Sequence, residues 1–132
     1  MEDNNHSNTL GKILVVDDDS SILEAIQILL EYEGYAVCTA HDAKTALKVA
    51  LTKKPHLVVL DVLLSGDDGR DIAKRLKTTP MTQQIPILMM SAHPNIRQSV
   101  IEAGADEFIP KPFDMDVLLR FVEHYTKAPL YD

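Results

Sequence analysis

Ile13-Leu14-Val15-Val16-Asp17-Asp18-Asp19 is the stretch that decides the fold of this chain. The apolar run does not alternate with polar residues and is rich in β-branched side chains, so it predicts a strand buried on both faces. Aspartates follow at the point where that strand must leave the core. The pattern then changes period. Ile22, Ala25, Ile26, Leu29 and Leu30 fall on one face of a helix. Ser21 with Glu24 matches a capping box, with Ser20 as the other candidate cap. Gly34 suits the position just past the helix end.

The same strand–helix unit recurs along the chain. Tyr35 to Ala40 reads as a second strand. Asp42 can cap a second helix, with Ala43, Ala46, Leu47 and Ala50 inward, and Lys54-Pro55 stops it. Leu57-Val58-Val59-Leu60 is a third strand and runs straight into Asp61. A loop holding Gly66 and Gly69 leads into a helix near 68–78, with Ile72, Ala73 and Leu76 on its face. Pro86 precedes a fourth strand, Ile87 to Met90. A helix near 95–103 ends at Gly104. Phe108-Ile109 form a short fifth strand, and Asp114 can cap a last helix bearing Val117, Leu118, Phe121, Val122 and Tyr125. Five β–α units predict an α/β fold, a doubly wound five-stranded parallel sheet covered on both sides, with strand order 2-1-3-4-5. Ligands in such sheets sit beyond the carboxyl ends of the strands where the order reverses, here between strands one and three.

The bulk composition agrees. At 132 residues, 45% hydrophobic and 25% charged, the chain fits one compact domain. Its formal net charge of −7 argues against direct binding of nucleic acid, which needs a basic face. Cys38 is the single cysteine, so no internal disulfide can form, and its apolar surroundings predict a small buried side chain. No apolar run approaches the length of a membrane span, so no membrane insertion is expected. Residues 1–9 lack the apolar core of a signal peptide, which makes the cytoplasm the expected location. Residues 1–10 are expected to form a flexible tail, 11–126 the folded domain and 127–132 a second tail.

The strand ends carry the chemistry. Asp17-Asp18-Asp19 ends strand one, Asp61 ends strand three, Ser91-Ala92 ends strand four, and Lys111-Pro112 follows strand five. The doubly wound order gathers all of these on one edge. Carboxylates crowded there would repel, and a hard divalent cation with a preference for oxygen, such as Mg²⁺, resolves the repulsion. Three carboxylates, one lysine and one Mg²⁺ sum to zero charge, which leaves the site ready for an anion. Singly, each feature has a structural reading: an aspartate run caps helices, Lys-Pro makes turns, and a lone serine carries no signal. Their conjunction at the correct ends of alternate elements favours function.

These segments resemble the receiver domain of response regulators over residues 11–126. The matches are Ile13 to Asp19, Leu57 to Asp61, Asp68-Gly69, Ile85-Pro86-Ile87 with Ser91-Ala92, Gly104-Ala105-Asp106 and Lys111-Pro112-Phe113. The resemblance implies a flavodoxin-like (βα)5 fold, like that of the chemotaxis regulators. It implies that Asp61 accepts a phosphoryl group from a phosphohistidine, and that Mg²⁺, or Mn²⁺ in its place, is held by Asp17, Asp18, Asp61 and the backbone carbonyl of Leu63. Asp19 falls outside that set. Ser91 and Lys111 would contact the phosphoryl group, and the Lys-Pro bond would be cis. Ser91 moving inward would vacate space for the switch aromatic, Phe108. Leu63 and His93 flank the path of a hydrolytic water and would set the lifetime of the phosphorylated form; His93 either orients that water or points outward into solvent, the second reading being ranked first because the position is at a loop mouth. The chain departs from the family's usual Met-Pro at Leu64-Ser65, a less rigid loop that loses no catalytic group.

What the resemblance implies about function is a phosphoacceptor of a two-component or phosphorelay system, not an enzyme in the ordinary sense. Its donor would be a sensor histidine kinase or a histidine phosphotransfer protein. No second domain is legible after the last helix, so a stand-alone regulator is expected, acting through a downstream protein on the face of helix four, strand five and helix five, or by onward transfer. Three rivals fit less well. A flavodoxin-like redox protein would place its phosphate against Asp17 to Asp19, and an aspartyl-phosphate phosphatase wants a carboxylate where Leu63 stands. A module that is never phosphorylated has no need of the full set of Asp17, Asp18, Asp61, Ser91 and Lys111.

Overall fold

The computed structural model describes residues 9–127. The expected tails therefore lie outside the described residues, apart from Thr9, Leu10 and Lys127. Leu10 donates its amide to the Gly34 carbonyl at 2.9 Å.

The strands are β1 (Lys12–Val16), β2 (Ala36–Ala40), β3 (Leu57–Asp61), β4 (Leu63–Leu64), β5 (Asp67–Asp68), β6 (Ile87–Ser91) and β7 (Glu107–Pro110). The helices are α1 (Ser20–Tyr32), α2 (Ala43–Lys53), α3 (Gly69–Lys77), α4 (Arg97–Glu102) and α5 (Met115–Lys127). The main sheet is parallel with order β2-β1-β3-β6-β7, which is the expected 2-1-3-4-5 once the small β4-β5 hairpin is set aside.

The sheet is sandwiched because its central strands bury both faces. Leu14, Val16, Val58, Leu60, Ile87 and Met89 point to one side, where Ala46 and Ala50 of α2, Ile72, Ala73 and Leu76 of α3, and Val100 of α4 cover them. Ile13, Val15, Leu57, Val59, Leu88 and Met90 point to the other, against Leu23, Ile26 and Leu30 of α1 and Leu118 and Val122 of α5. Register matters for the site. Val16 pairs with both Ala40 and Leu60, so Asp17 and Asp61 leave their strands at the same level.

Several local expectations need correction. The α1 cap is neither Ser20 nor Ser21 but Asp19, whose carboxylate accepts from the Ser21 amide at 2.9 Å and the Ile22 amide at 3.4 Å. A carboxylate at a helix N-terminus also gains from the helix dipole, which a serine hydroxyl does less well. Ala25 is exposed and Leu23 is buried in its place. Burying a leucine side chain gains far more than burying one methyl group, so the helix turns toward Leu23. Cys38 is only part-buried, because β2 is an edge strand. The helix expected near 95–103 is shorter, Arg97–Glu102, and has no side-chain cap. The β4-β5 hairpin is too short to show periodicity and went unforeseen.

Asp106 has a physical role in the Gly104-Ala105-Asp106 segment. Its Oδ2 accepts from the Ile87 amide at 2.8 Å and from Lys77 Nζ at 3.0 Å. Ile87 opens the fully buried β6, so this carboxylate satisfies a backbone donor that the sheet leaves unpaired. Asp106→Ala should therefore lower unfolding stability by about 1–3 kcal/mol, the range for a buried donor left unsatisfied. The check is the urea midpoint of the two proteins; equal midpoints would show that water replaces the carboxylate without loss.

Candidate functional site

Three carboxylates meet at the carboxyl edge of the sheet. Asp17 and Asp61 are buried and Asp18 is exposed, and one oxygen from each lies within 4.8 Å of the others. Asp17 and Asp61 are brought together by the β1–β3 register, and Asp18 is the next residue along. Asp19 lies outside this cluster. Its amide instead donates to Asp17 Oδ1 at 2.9 Å, while its side chain caps α1.

Lys111 reaches the cluster from the end of β7. Its ammonium lies 3.3 Å from Asp17 Oδ2 and 3.3 Å from Asp61 Oδ1. The Lys111–Pro112 peptide is cis, and the Lys111 amide donates to the Ser91 carbonyl at 2.8 Å, which ties the lysine to the end of β6. Burial, and then the neighbouring Asp17 charge, push the Asp61 carboxyl up to about 6 although Lys111 pulls the other way. The crowded cluster is therefore short of positive charge, and its all-oxygen donor set could hold a hard divalent metal.

Asp61 is also held from behind. A Cβ added to Gly69 would collide with the Asp61 carbonyl oxygen and crowd the Val62 Cα, so only glycine lets α3 start this close to the strand end. The Gly69 amide donates to the Val62 carbonyl at 2.7 Å. Asp68 caps α3 through the Arg70 amide at 2.9 Å and pairs with the Arg70 guanidinium at 2.6 Å. Arg70 continues to Ser99 Oγ at 3.0 Å and so links the hairpin to α4. The sequence reading passed over Arg70, because nothing local marks a side chain that bridges two helices.

Ser91 is buried at the end of β6, and its Oγ accepts from the His93 amide at 3.0 Å. His93 and Ala92 are exposed. Leu63 stands in β4 and is 51% exposed. Phe108 is 5% exposed and already packed inward in the α2–α3–α4 core, with the Arg97 guanidinium 5.1 Å from its ring centroid.

With this geometry in place, comparison with known proteins defines the class. The family model "Response regulator receiver domain" matches residues 13–123, and the chain belongs to that family. Response regulator MprA of Mycobacterium ulcerans is 37% identical over 110 residues, covering 82% of this chain and 47% of that protein. The chain thus spans about half the length of the curated relatives it matches. Among solved structures it is similar to a response regulator of Chloroflexus aurantiacus (34% identity, TM-score 0.82, covering 88% of this chain and 97% of that one). It is also similar to chemotaxis response regulator CheY4 of Vibrio cholerae (28% identity, TM-score 0.82, covering 89% and 99%). No described helix is long and apolar enough to cross a membrane.

The raised Asp61 value makes a pH-dependent outcome. Its folded value of about 6 exceeds the ordinary 3.8, so the group contributes stability below pH 3.8 that is lost as pH rises through 6. An asparagine in its place has no charge to desolvate and escapes that loss. In metal-free buffer, Asp61→Asn should be more stable than wild type above pH 6, by about 1–2 kcal/mol after solvent screening, with the difference closing toward pH 4. Urea unfolding of both proteins in EDTA across this window measures it. A gap that widens as pH falls would contradict the sign.

Proposed function

We propose that this receiver accepts a phosphoryl group from a phosphohistidine onto Asp61, within a two-component or phosphorelay system. The observation that carries this reading is the Lys111 ammonium, 3.3 Å from both Asp17 and Asp61, at the edge of an acidic cluster. An Asp61 oxygen attacks the phosphorus in line; the new O–P bond forms as the P–N bond to the donor histidine breaks, and its electron pair returns to the imidazole. Lys111 offsets charge on the phosphoryl oxygens. Ser91 Oγ accepts from the His93 amide, which leaves its own proton free to donate to the transferred group, together with the Ala92 amide.

Mg²⁺ is the cation we assign to this site, with Mn²⁺ able to replace it. Asp17, Asp18, Asp61 and the Leu63 carbonyl would hold it, an oxygen-only set suited to a hard ion. When bound it would supply neutralisation of the phosphoryl charge. The chain would then promote only its own phosphorylation and dephosphorylation, and would not be an enzyme with an independent substrate.

The donor partner is a sensor histidine kinase or a histidine phosphotransfer protein. Output would pass through the α4–β7–α5 face to a downstream protein, starting from Ser91 and Phe108. The net charge of −7 supports protein partners over nucleic acid. We assign the domain to residues 11–126 and its location to the cytoplasm.

Asp61→Asn should abolish labelling by a small phosphodonor while the fold survives, since the amide is nearly isosteric with the carboxylate but not nucleophilic. Mass spectrometry locates the label; full phosphorylation of that variant at another carboxylate would refute the assignment. Lifetime should depend on Leu63, whose side chain cannot hydrogen-bond a water and can cover the phosphoryl group. Leu63→Asn should shorten the lifetime several-fold, whereas His93→Ala, at an exposed position, should change it little. Decay of the phosphorylated proteins at fixed Mg²⁺ decides between these two residues.

A further inference from the structure

Ser65 departs from the proline common at its place in the family, and it makes contacts that proline could not. Its amide donates to Asp18 Oδ2 at 2.8 Å and its hydroxyl donates to the same oxygen at 2.6 Å. Both bonds span 47 residues of sequence, from the β4-β5 turn back to the end of β1. The turn does not need either donor. Ser65 and Gly66 are its central residues, between the Leu64↔Asp67 pair, and Gly66 takes φ +79°. A turn with positive φ only at its second central position accepts proline at the first, so the Ser65 N–H is not required to build it.

We propose that Ser65 is a positioning residue for metal binding: its two hydrogen bonds fix the Asp18 carboxylate against the Asp17–Asp61 pair and so raise the affinity of the cluster for a divalent cation. Asp18 is exposed, so nothing buries or packs its side chain into one rotamer. The neighbouring carboxylates repel it, so a free Asp18 side chain would swing toward solvent. Two donors converging on Oδ2 hold it in place, so a cation would meet a ligand already ordered. Outer partners of this kind orient carboxylate ligands generally, and their loss weakens metal binding. Ser65 thereby compensates for the rigidity that the loop gives up by lacking proline.

This inference rests on the metal site proposed above, and the test separates the two. Mg²⁺ affinity is measured by titration calorimetry on the full chain, with circular dichroism to check the fold. Ser65→Ala removes the hydroxyl alone and should weaken Mg²⁺ by roughly threefold; Ser65→Pro removes both donors and should weaken it by roughly tenfold, the lower end of the range for outer-shell partners. Ser65→Thr, which keeps both donors, should match wild type. In an Asp18→Ala background the Ser65 substitutions should have no further effect. Unchanged affinity in Ser65→Pro would overturn the inference, as would a Ser65 effect that persists without Asp18, because the turn rather than the ligand would then be responsible. Wild-type Mg²⁺ binding that survives Asp18→Ala unaltered would overturn the site assignment itself, and this inference with it.

Discussion

A carboxylate at the end of a doubly buried strand is costly unless an opposite charge reaches it, and the Lys111 contact with Asp17 and Asp61 meets that need. β1 and β3 must end level to place the two carboxylates together. β7 must lie at the far edge of the sheet, with a turn after it, for the lysine to return across β6. Lys111 offsets the repulsion only partly, as the raised Asp61 value records. The edge stays negative and partly desolvated, which is a poor place for a resting protein group and a suitable one for a cation and a phosphoryl group.

The same edge is reinforced from its outer side. Gly69 lets α3 begin against the Asp61 backbone, Asp68 caps that helix, and Arg70 carries the connection on to Ser99 in α4. Asp67 accepts from the Ala43 amide at 3.0 Å and so ties the hairpin to the start of α2. The hairpin thus holds the starts of α2 and α3, and α3 reaches α4 through Arg70. Among the described helices α4 is the shortest, and it has no side-chain cap.

Some of this was legible before folding was considered. The runs Ile13 to Val16 and Leu57 to Leu60 marked buried parallel strands, because only burial on both faces tolerates uninterrupted apolar residues. Asp42 was readable as a cap, since its carboxylate acts on the Thr45 amide within the same turn. Other local details were not. Asp19 took the cap from two serines with equal local claims, and Ala25 lost its inward place to Leu23, because the sheet decides which side of a helix faces the core.

The sequence by itself determined the strand–helix alternation and the residue types at each strand end, and hence the candidate set Asp17, Asp18, Asp61, Ser91 and Lys111. Periodicity and chain punctuation are local properties and survive translation into sequence. Tertiary structure alone decided which of these atoms touch. Lys111 meets Asp17 across 94 residues, Ser65 meets Asp18 across 47, and Arg70 meets Ser99 across 29. Such contacts depend on strand order, register and helix rotation acting together, and those are set by the packing of the whole core rather than by any neighbouring residue.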